Sequence, residues 1–154
     1  MLLSLMVWIG GLIFFPVIAQ TAFTVLPTKQ LAGLVVGRSL VILHWMGMFS
    51  GVVFLTSSLL YSRLSAGTAH VFAAGHVLIV LMLTLTLISQ FGVIPRMDTL
   101  RSSIHGEIDF APADNPARAQ FDALHEWSMR LESGVLLLGL VVVYLTARQP
   151  VRFG

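Results

Sequence analysis

Two histidines stand at matching depths in the ends of two predicted membrane helices. His44 and His125 each lie about one helical turn from the same predicted membrane face. Imidazoles that converge from two helices are typical ligands of a haem iron, and they also bind copper. The pair therefore raises the hypothesis of a b-type haem or copper site in which His44 and His125 are the metal ligands.

Further hydrogen-bonding side chains lie at the same depth. Polar groups inside a bilayer cost several kcal/mol when they are unpaired, so they should face the bundle interior. We predict a pocket for a small ligand or an ion, open to one membrane face. The alternative is that these groups only bond between helices or reach the interface. The candidate ligand-binding residues are Gln20, His44, Gln90, Arg96, His125, Ser128 and Arg130.

A catalytic site is not expected. His125, Ser128 and Glu132 share one face of a predicted helix, but a triad needs its base oriented from a different direction than its nucleophile. The chain has no cysteine, and the glycines at positions 33 and 37 do not follow a strand or precede the lysine of a phosphate loop. We therefore favour a non-enzymatic protein.

The elements that carry these residues follow from the charge pattern. The chain is 56% hydrophobic and 10% charged, which is far from the composition of a soluble domain. Four stretches lack Asp, Glu, Lys and Arg, namely residues 1–28, 39–62, 64–95 and 133–147. Each reaches the roughly 20 residues of a membrane helix, the fourth once it begins in the charged stretch before it. We predict an all-α integral membrane protein of one domain, 1–154: a four-transmembrane-helix bundle with spans at about 2–26, 39–62, 68–95 and 128–147.

A polar helical hairpin, at about 96–127, is predicted between spans three and four. The acidic residues all lie between positions 98 and 132, and Met97, Leu100 and Ile104 recur at helical spacing after Pro95. Asp114 or Asn115 is predicted to cap the returning helix, with Pro116 in its first turn. That helix continues into span four, and Glu126 and Arg130 are spaced for an ion pair within it.

The basic residues predict the orientation. We call side B the membrane face that carries the hairpin, and side A the face of the chain's two ends. Lys29, Arg38 and most arginines lie towards side B, so the positive-inside rule predicts a cytoplasmic hairpin. Because the basic residues are scattered singly, nucleic acid is not an expected partner. The expected partners are the lipid bilayer and a protein bound through residues 96–132.

The sequence also resembles a known family in the order of its motifs. The first half carries, in order, Gly10-Gly11, Phe15-Pro16, Phe23, Leu26 and Ala32-Gly33, and the second half carries IPRMDTLR and PARAQFDALHEWS. These motifs resemble a family of small four-span membrane proteins of unknown function that includes eukaryotic transmembrane protein 205. The resemblance implies a four-helix fold with a polar segment between spans three and four. It also implies that Arg96, Phe121, His125 and Ser128 belong to a shared element, and it supplies no activity.

Three hypotheses for the function remain open. The first is a non-enzymatic membrane protein with a small-ligand or ion pocket near side B. The second is a haem b or copper protein that uses His44 and His125. The third is a structural accessory subunit of a larger membrane complex, which contacts its partners through the hairpin.

Overall fold

The computed structural model describes residues 1–66, 74–104, 112 and 114–148. Their secondary structure consists of five α-helices and one π-helical segment. Parts of the predicted third span and of the predicted hairpin, residues 68–73, 105–111 and 113, lie outside the described residues. The helices are α1 (Leu2–Val25), α2 (Lys29–Ala66), α3 (Ala74–Ile88), the π segment (Ser89–Val93), α4 (Ile94–Ser103) and α5 (Pro116–Ala147).

Two local sequence signals set where the long helices begin. Thr28 follows Pro27, and its hydroxyl accepts a hydrogen bond from the backbone N–H of Leu31 at 3.2 Å. Helix α2 begins at the residue after Thr28, Lys29. This helix therefore starts ten residues before the predicted membrane span at 39–62, because polar residues 29 and 30 do not stop a helix. The predicted Asn115 cap is confirmed, since its side chain accepts from the backbone N–H of Ala117 at 2.9 Å.

The π segment interrupts the third span at its side-B end. Pro95 has no N–H, and its ring would collide with the carbonyl of Phe91 in a regular α-helix. The wider turns of Ser89–Val93 come immediately before this proline, and the helix then continues to Ser103. The single helical rod from Ala74 to Ser103 is thus both a membrane span and one arm of the hairpin.

The four spans pack as a ring. Helix α1 contacts α2, α2 contacts α3, α3 contacts α5, and α5 closes the ring against α1. The indole of Trp8 packs against Gly47 and Gly51, where an added Cβ would overlap the indole and, at Gly51, also Leu83. At Gly139, Ile9 of α1 and Met82 of α3 approach the α5 backbone in the same way. The small residues therefore set the helix spacing.

The outer surface is apolar, as expected for lipid contact. In each long helix only 17–33% of the most apolar window is buried inside the protein. Large side chains such as Leu3, Phe49, Phe91 and Leu137 point outwards and are more than half exposed. The fold-class prediction is confirmed: four helices are long and apolar enough to cross a membrane. The arrangement fits a multi-pass integral membrane protein.

The hairpin helices α4 and α5 pack against each other and against the start of α2. The Arg101 guanidinium lies over the Phe121 ring at 5.3 Å from its centroid. On its other side it borders Gly33 and Gly37, where an added Cβ at Gly33 would lie 3.3 Å from Nη2. One arginine of α4 therefore connects three helices at the side-B end. The predicted Glu126–Arg130 ion pair is also confirmed, at 2.6 Å on α5.

Candidate functional site

His44 lies at the centre of a polar cluster that joins three spans. Its Nδ1 is 2.8 Å from Oε1 of Gln90 in the π segment, and its Nε2 is 2.6 Å from Oε1 of Glu132 on α5. The His44 side chain is 1% exposed and that of Glu132 is 15% exposed. An imidazole and a carboxylate thus meet inside an otherwise apolar bundle. We call His44, Gln90 and Glu132 the buried polar cluster.

The two hydrogen bonds of His44 limit where hydrogens can lie in this cluster. The Gln90 oxygen can only accept, so the Nδ1–H of His44 donates to it. A hydrogen must also lie between His44 and Glu132, because a bare ring nitrogen and a carboxylate oxygen would repel each other at 2.6 Å. That hydrogen belongs either to Nε2, as imidazolium and carboxylate, or to Oε1, as neutral imidazole and carboxylic acid. In both forms the pair has no net charge, which is the form a bilayer interior tolerates best.

Two arginine–aromatic contacts on α5 indicate the depth of the cluster. Arg130 lies over Trp127 at 5.5 Å from the ring centroid, and Arg148 lies over Tyr144 at 5.3 Å. Trp and Tyr favour the membrane interface. The two rings are about 26 Å apart along the helix, close to the roughly 30 Å of a hydrocarbon core. Glu132 is about 7 Å deeper than Trp127 on this scale, so the cluster lies shallowly below side B.

The surroundings of the cluster differ on its two sides. Towards side A, a layer of fully buried apolar side chains fills the bundle, with Ile79, Met82 and Val142 at 0% exposure and Val135 at 1%. Towards side B, the buried residue on α5 is Ser128, at 5% exposure. Towards side A the cluster is therefore followed by mostly apolar buried side chains, with Ser50 and Thr86 as buried hydroxyls, and towards side B by Ser128.

The Ser89 hydroxyl adds a further polar atom next to Gln90. It is 0% exposed and has no hydrogen-bond partner among the described residues. The hydroxyl of Thr86, one turn earlier, instead bonds to the carbonyl of Met82. A buried hydroxyl without a partner costs free energy. The π segment thus places an unpaired donor beside the cluster.

The predicted site residues are only partly brought together. His44, Gln90 and Ser128 are inside the bundle, whereas four others are exposed on its outer surface or at its side-B end, namely Gln20, Arg96, His125 and Arg130. Arg130 is instead paired with Glu126.

The two predicted metal ligands do not meet. Both ring nitrogens of His44 bind other side chains, and His125 lies about 10 Å from Glu132 along α5. In the part of the chain that the structure describes, no group of three or more His, Cys, Asp or Glu side chains is arranged to hold a metal.

Comparison with known proteins bears on the first two-thirds of the chain. The profile of a domain of unknown function, DUF4149, matches residues 3–105. The chain belongs to the DUF4149 family. No curated protein and no solved structure matched it. In this DUF4149 chain the matched region includes His44 and Gln90, whereas Ser128 and Glu132 lie beyond its end.

Glu132 is the residue of the DUF4149 chain that sequence reasoning did not place in the site. A signal for it was present. The buried residues of α5, together with Glu132, follow steps of four, three, four and three residues: Ser128, Glu132, Val135, Gly139 and Val142. The acid thus occupies the inward position of a regular buried stripe, which the neighbouring ion pair of Glu126 and Arg130 obscures in the sequence.

Proposed function

We propose that this chain is a non-enzymatic membrane protein that binds and releases a proton at the buried polar cluster, in exchange with side B. The observation that carries the proposal is the double engagement of His44, which bridges Gln90 and Glu132 across three spans. Ionisable side chains inside a membrane are costly and are typical of ion and proton sites. The proton is the ion that this arrangement suits.

The proton is favoured over a larger ion by the space between the ligands. Nε2 of His44 and Oε1 of Glu132 are 2.6 Å apart, a separation that a hydrogen bridges. A zinc ion has bonds of about 2.0–2.2 Å to each such atom, and would need additional ligands. Proton binding therefore requires no rearrangement of the heavy atoms.

We further propose that the proton changes the hairpin at side B. Gaining or losing a proton gives the His44–Glu132 pair a net charge, which is expensive at this depth. A change of charge at the cluster would be passed to the side-B end, because α5 continues out of the membrane and the π segment continues as α4. Their extensions meet at Arg101 and Phe121. A protein partner bound to residues 96–132 would then receive the change.

Difference infrared spectroscopy on the purified protein tests the proposal. The proposal places the exchanged proton on the carboxyl group of Glu132, so we expect a pH-dependent carboxylic-acid carbonyl band in the wild type. Glu132→Gln should remove this band, because an amide cannot take up the proton. The control is Glu126→Gln, which alters an exposed glutamate on the same helix and should leave the band in place. A band that persists in Glu132→Gln, or that never changes with pH, would contradict proton exchange at the cluster.

Two other functions are separated by simple measurements. The haem b or copper hypothesis predicts a Soret band or bound copper in protein purified from its native membrane. The accessory-subunit hypothesis predicts fixed partners that co-purify in mild detergent and a cluster that does not titrate. The relationship to eukaryotic transmembrane protein 205 remains a prediction from the motifs.

A further inference from the structure

One face of α5 leads from the side-B surface to the buried polar cluster. His125, Ser128 and Glu132 are three and then four residues apart in one unbroken helix, so they lie within a narrow arc of its surface. Each step advances about 4.5–6 Å along the axis. His125 is exposed, Ser128 is 5% exposed and the Glu132 side chain is 15% exposed, so the face passes from the surface into the bundle after His125.

We infer that protons reach the His44–Glu132 pair from side B along this face, with His125 as the surface group and Ser128 as the relay. The inference rests on the proposed proton-binding function and assigns its uptake route. A serine hydroxyl is suited to the relay, because it accepts one hydrogen while it donates another. The mostly apolar buried side chains towards side A, such as Ile79, Met82 and Val135, disfavour the opposite approach.

Among the described residues of α1 and the π segment, no side chain at this depth carries a charge. Gly11 of α1 meets Leu43 and Met46, so α1 faces this level with Leu12 and Phe15, which are apolar. The π segment contributes Gln90 and Ser89, neither of which carries a charge.

The remaining charged groups at the side-B end lie nearer the surface. Among the described residues these are Lys29 and Arg38 on α2, Arg96, Asp98 and Arg101 on α4, Asp114 before α5, and Arg118, Asp122, Glu126 and Arg130 on α5. All of them except Arg101 and Arg118 are exposed. Asp122 and Glu126 are the acidic residues of α5 nearest to His125 in the sequence.

The transfer conserves protons and moves no electrons. Protonated His125 gives a proton, through water, to the Ser128 oxygen, while the hydroxyl passes its own hydrogen inwards to the Glu132 carboxylate. His125 then takes a new proton from the side-B solution. Ser128 ends as it began, with one hydrogen, and the pair gains one proton.

The test compares the rate of proton uptake with its extent. Infrared detection of the Glu132 band after a rapid pH change gives the rate, and the equilibrium titration gives the extent. We expect Ser128→Ala and His125→Ala to slow uptake by about tenfold or more, and to leave the equilibrium amplitude intact. Ser133→Ala is the matched control, because Ser133 is an exposed serine adjacent to Glu132.

Rescue variants separate relay from packing. Ser128→Thr keeps a hydroxyl and should restore the wild-type rate, and added imidazole should restore His125→Ala. If Ser128→Thr is as slow as Ser128→Ala, or if both alanine variants match Ser133→Ala, the route is wrong while the proton site stands. If the wild type shows no titrating band at all, the proposed function fails and the route fails with it.

Discussion

At the residue scale, the informative contrast is between two buried histidines. His44 has a partner at each ring nitrogen. His76 is also buried, at 8% exposure, but neither of its ring nitrogens has a partner among the described residues. Histidine is therefore expected to stabilise the bundle at position 44 and to destabilise it at position 76. A satisfied polar group stabilises helix association, and an unsatisfied one costs about 1–3 kcal/mol.

This contrast gives a prediction for leucine substitutions. His76→Leu should raise the thermal unfolding temperature in detergent, because it removes a buried group that has no partner among the described residues and keeps the volume similar. His44→Leu should lower that temperature, since it leaves Gln90 and Glu132 without their partner. Equal shifts for the two variants would contradict the hydrogen bonding at His44.

Glu132 and Glu126 permit a second comparison on one helix. Glu132→Ala should lower the free energy of unfolding by about 1–3 kcal/mol, because Nε2 of His44 loses its buried partner. Glu126→Ala should have a much smaller effect, since its pair with Arg130 is 60% exposed on both sides. Chemical unfolding in mixed micelles measures both values. A larger loss for Glu126→Ala would mean that the side-B surface, and not the cluster, holds α5.

At the element scale, helix irregularities and small residues decide which side chains meet. The π segment before Pro95 brings Gln90 to His44 and leaves Ser89 turned inwards without a partner. The glycines of α2 let Trp8 pack against the helix backbone. Neither arrangement concerns charge, yet both fix the distance between α2 and its neighbours. The cluster depends on that distance.

The glycine contact can be tested with a matched pair. Gly47→Ala places a methyl group within the indole ring of Trp8, and overpacking of this kind typically costs about 1–3 kcal/mol. Gly10→Ala is the control, because no atom lies within 4 Å of a Cβ built there. We expect a lower unfolding temperature only for Gly47→Ala. Similar temperatures for the two variants would show that α1 can move away from α2 without loss.

At the scale of the whole molecule, the side-chain hydrogen bonds of the buried polar cluster lie near side B, and the outer surface of the spans is largely apolar. The four spans expose their large apolar side chains to lipid, whereas the charged residues gather at the side-B end. The cluster lies at the boundary of these two regions, close enough to side B for exchange with the solution. The hairpin stands directly above it.

The orientation of the molecule is a prediction at this scale, and the absence of cysteine makes it testable. Ser102→Cys on α4 and Ala147→Cys at the end of α5 each introduce a single exposed thiol. If the hairpin is cytoplasmic, a membrane-impermeant maleimide should label Ala147→Cys in intact cells. It should label Ser102→Cys only after the membrane has been opened. The reverse pattern would place side B outside.

Much of the fold could be predicted from local sequence. Charge-free stretches marked the four spans, and Asn115 with Pro116 marked the start of α5, because membrane insertion and helix capping depend on neighbouring residues. The second span was predicted from residue 39, whereas helix α2 begins at Lys29, because nothing in the sequence ends a helix that has already left the membrane. Two of the three residues of the cluster, His44 and Gln90, were also predictable from depth alone.

By itself, the sequence determined that this is a helical membrane protein with polar groups gathered near one face. Only the tertiary structure decided that His44 meets Glu132 and not His125. The physical reason is that a partner depends on the rotation and spacing of separate helices, which Trp8 on its glycines, the π segment before Pro95 and Gly139 set together. Depth along a helix can be counted from the sequence, whereas the direction in which a side chain meets another helix arises from packing.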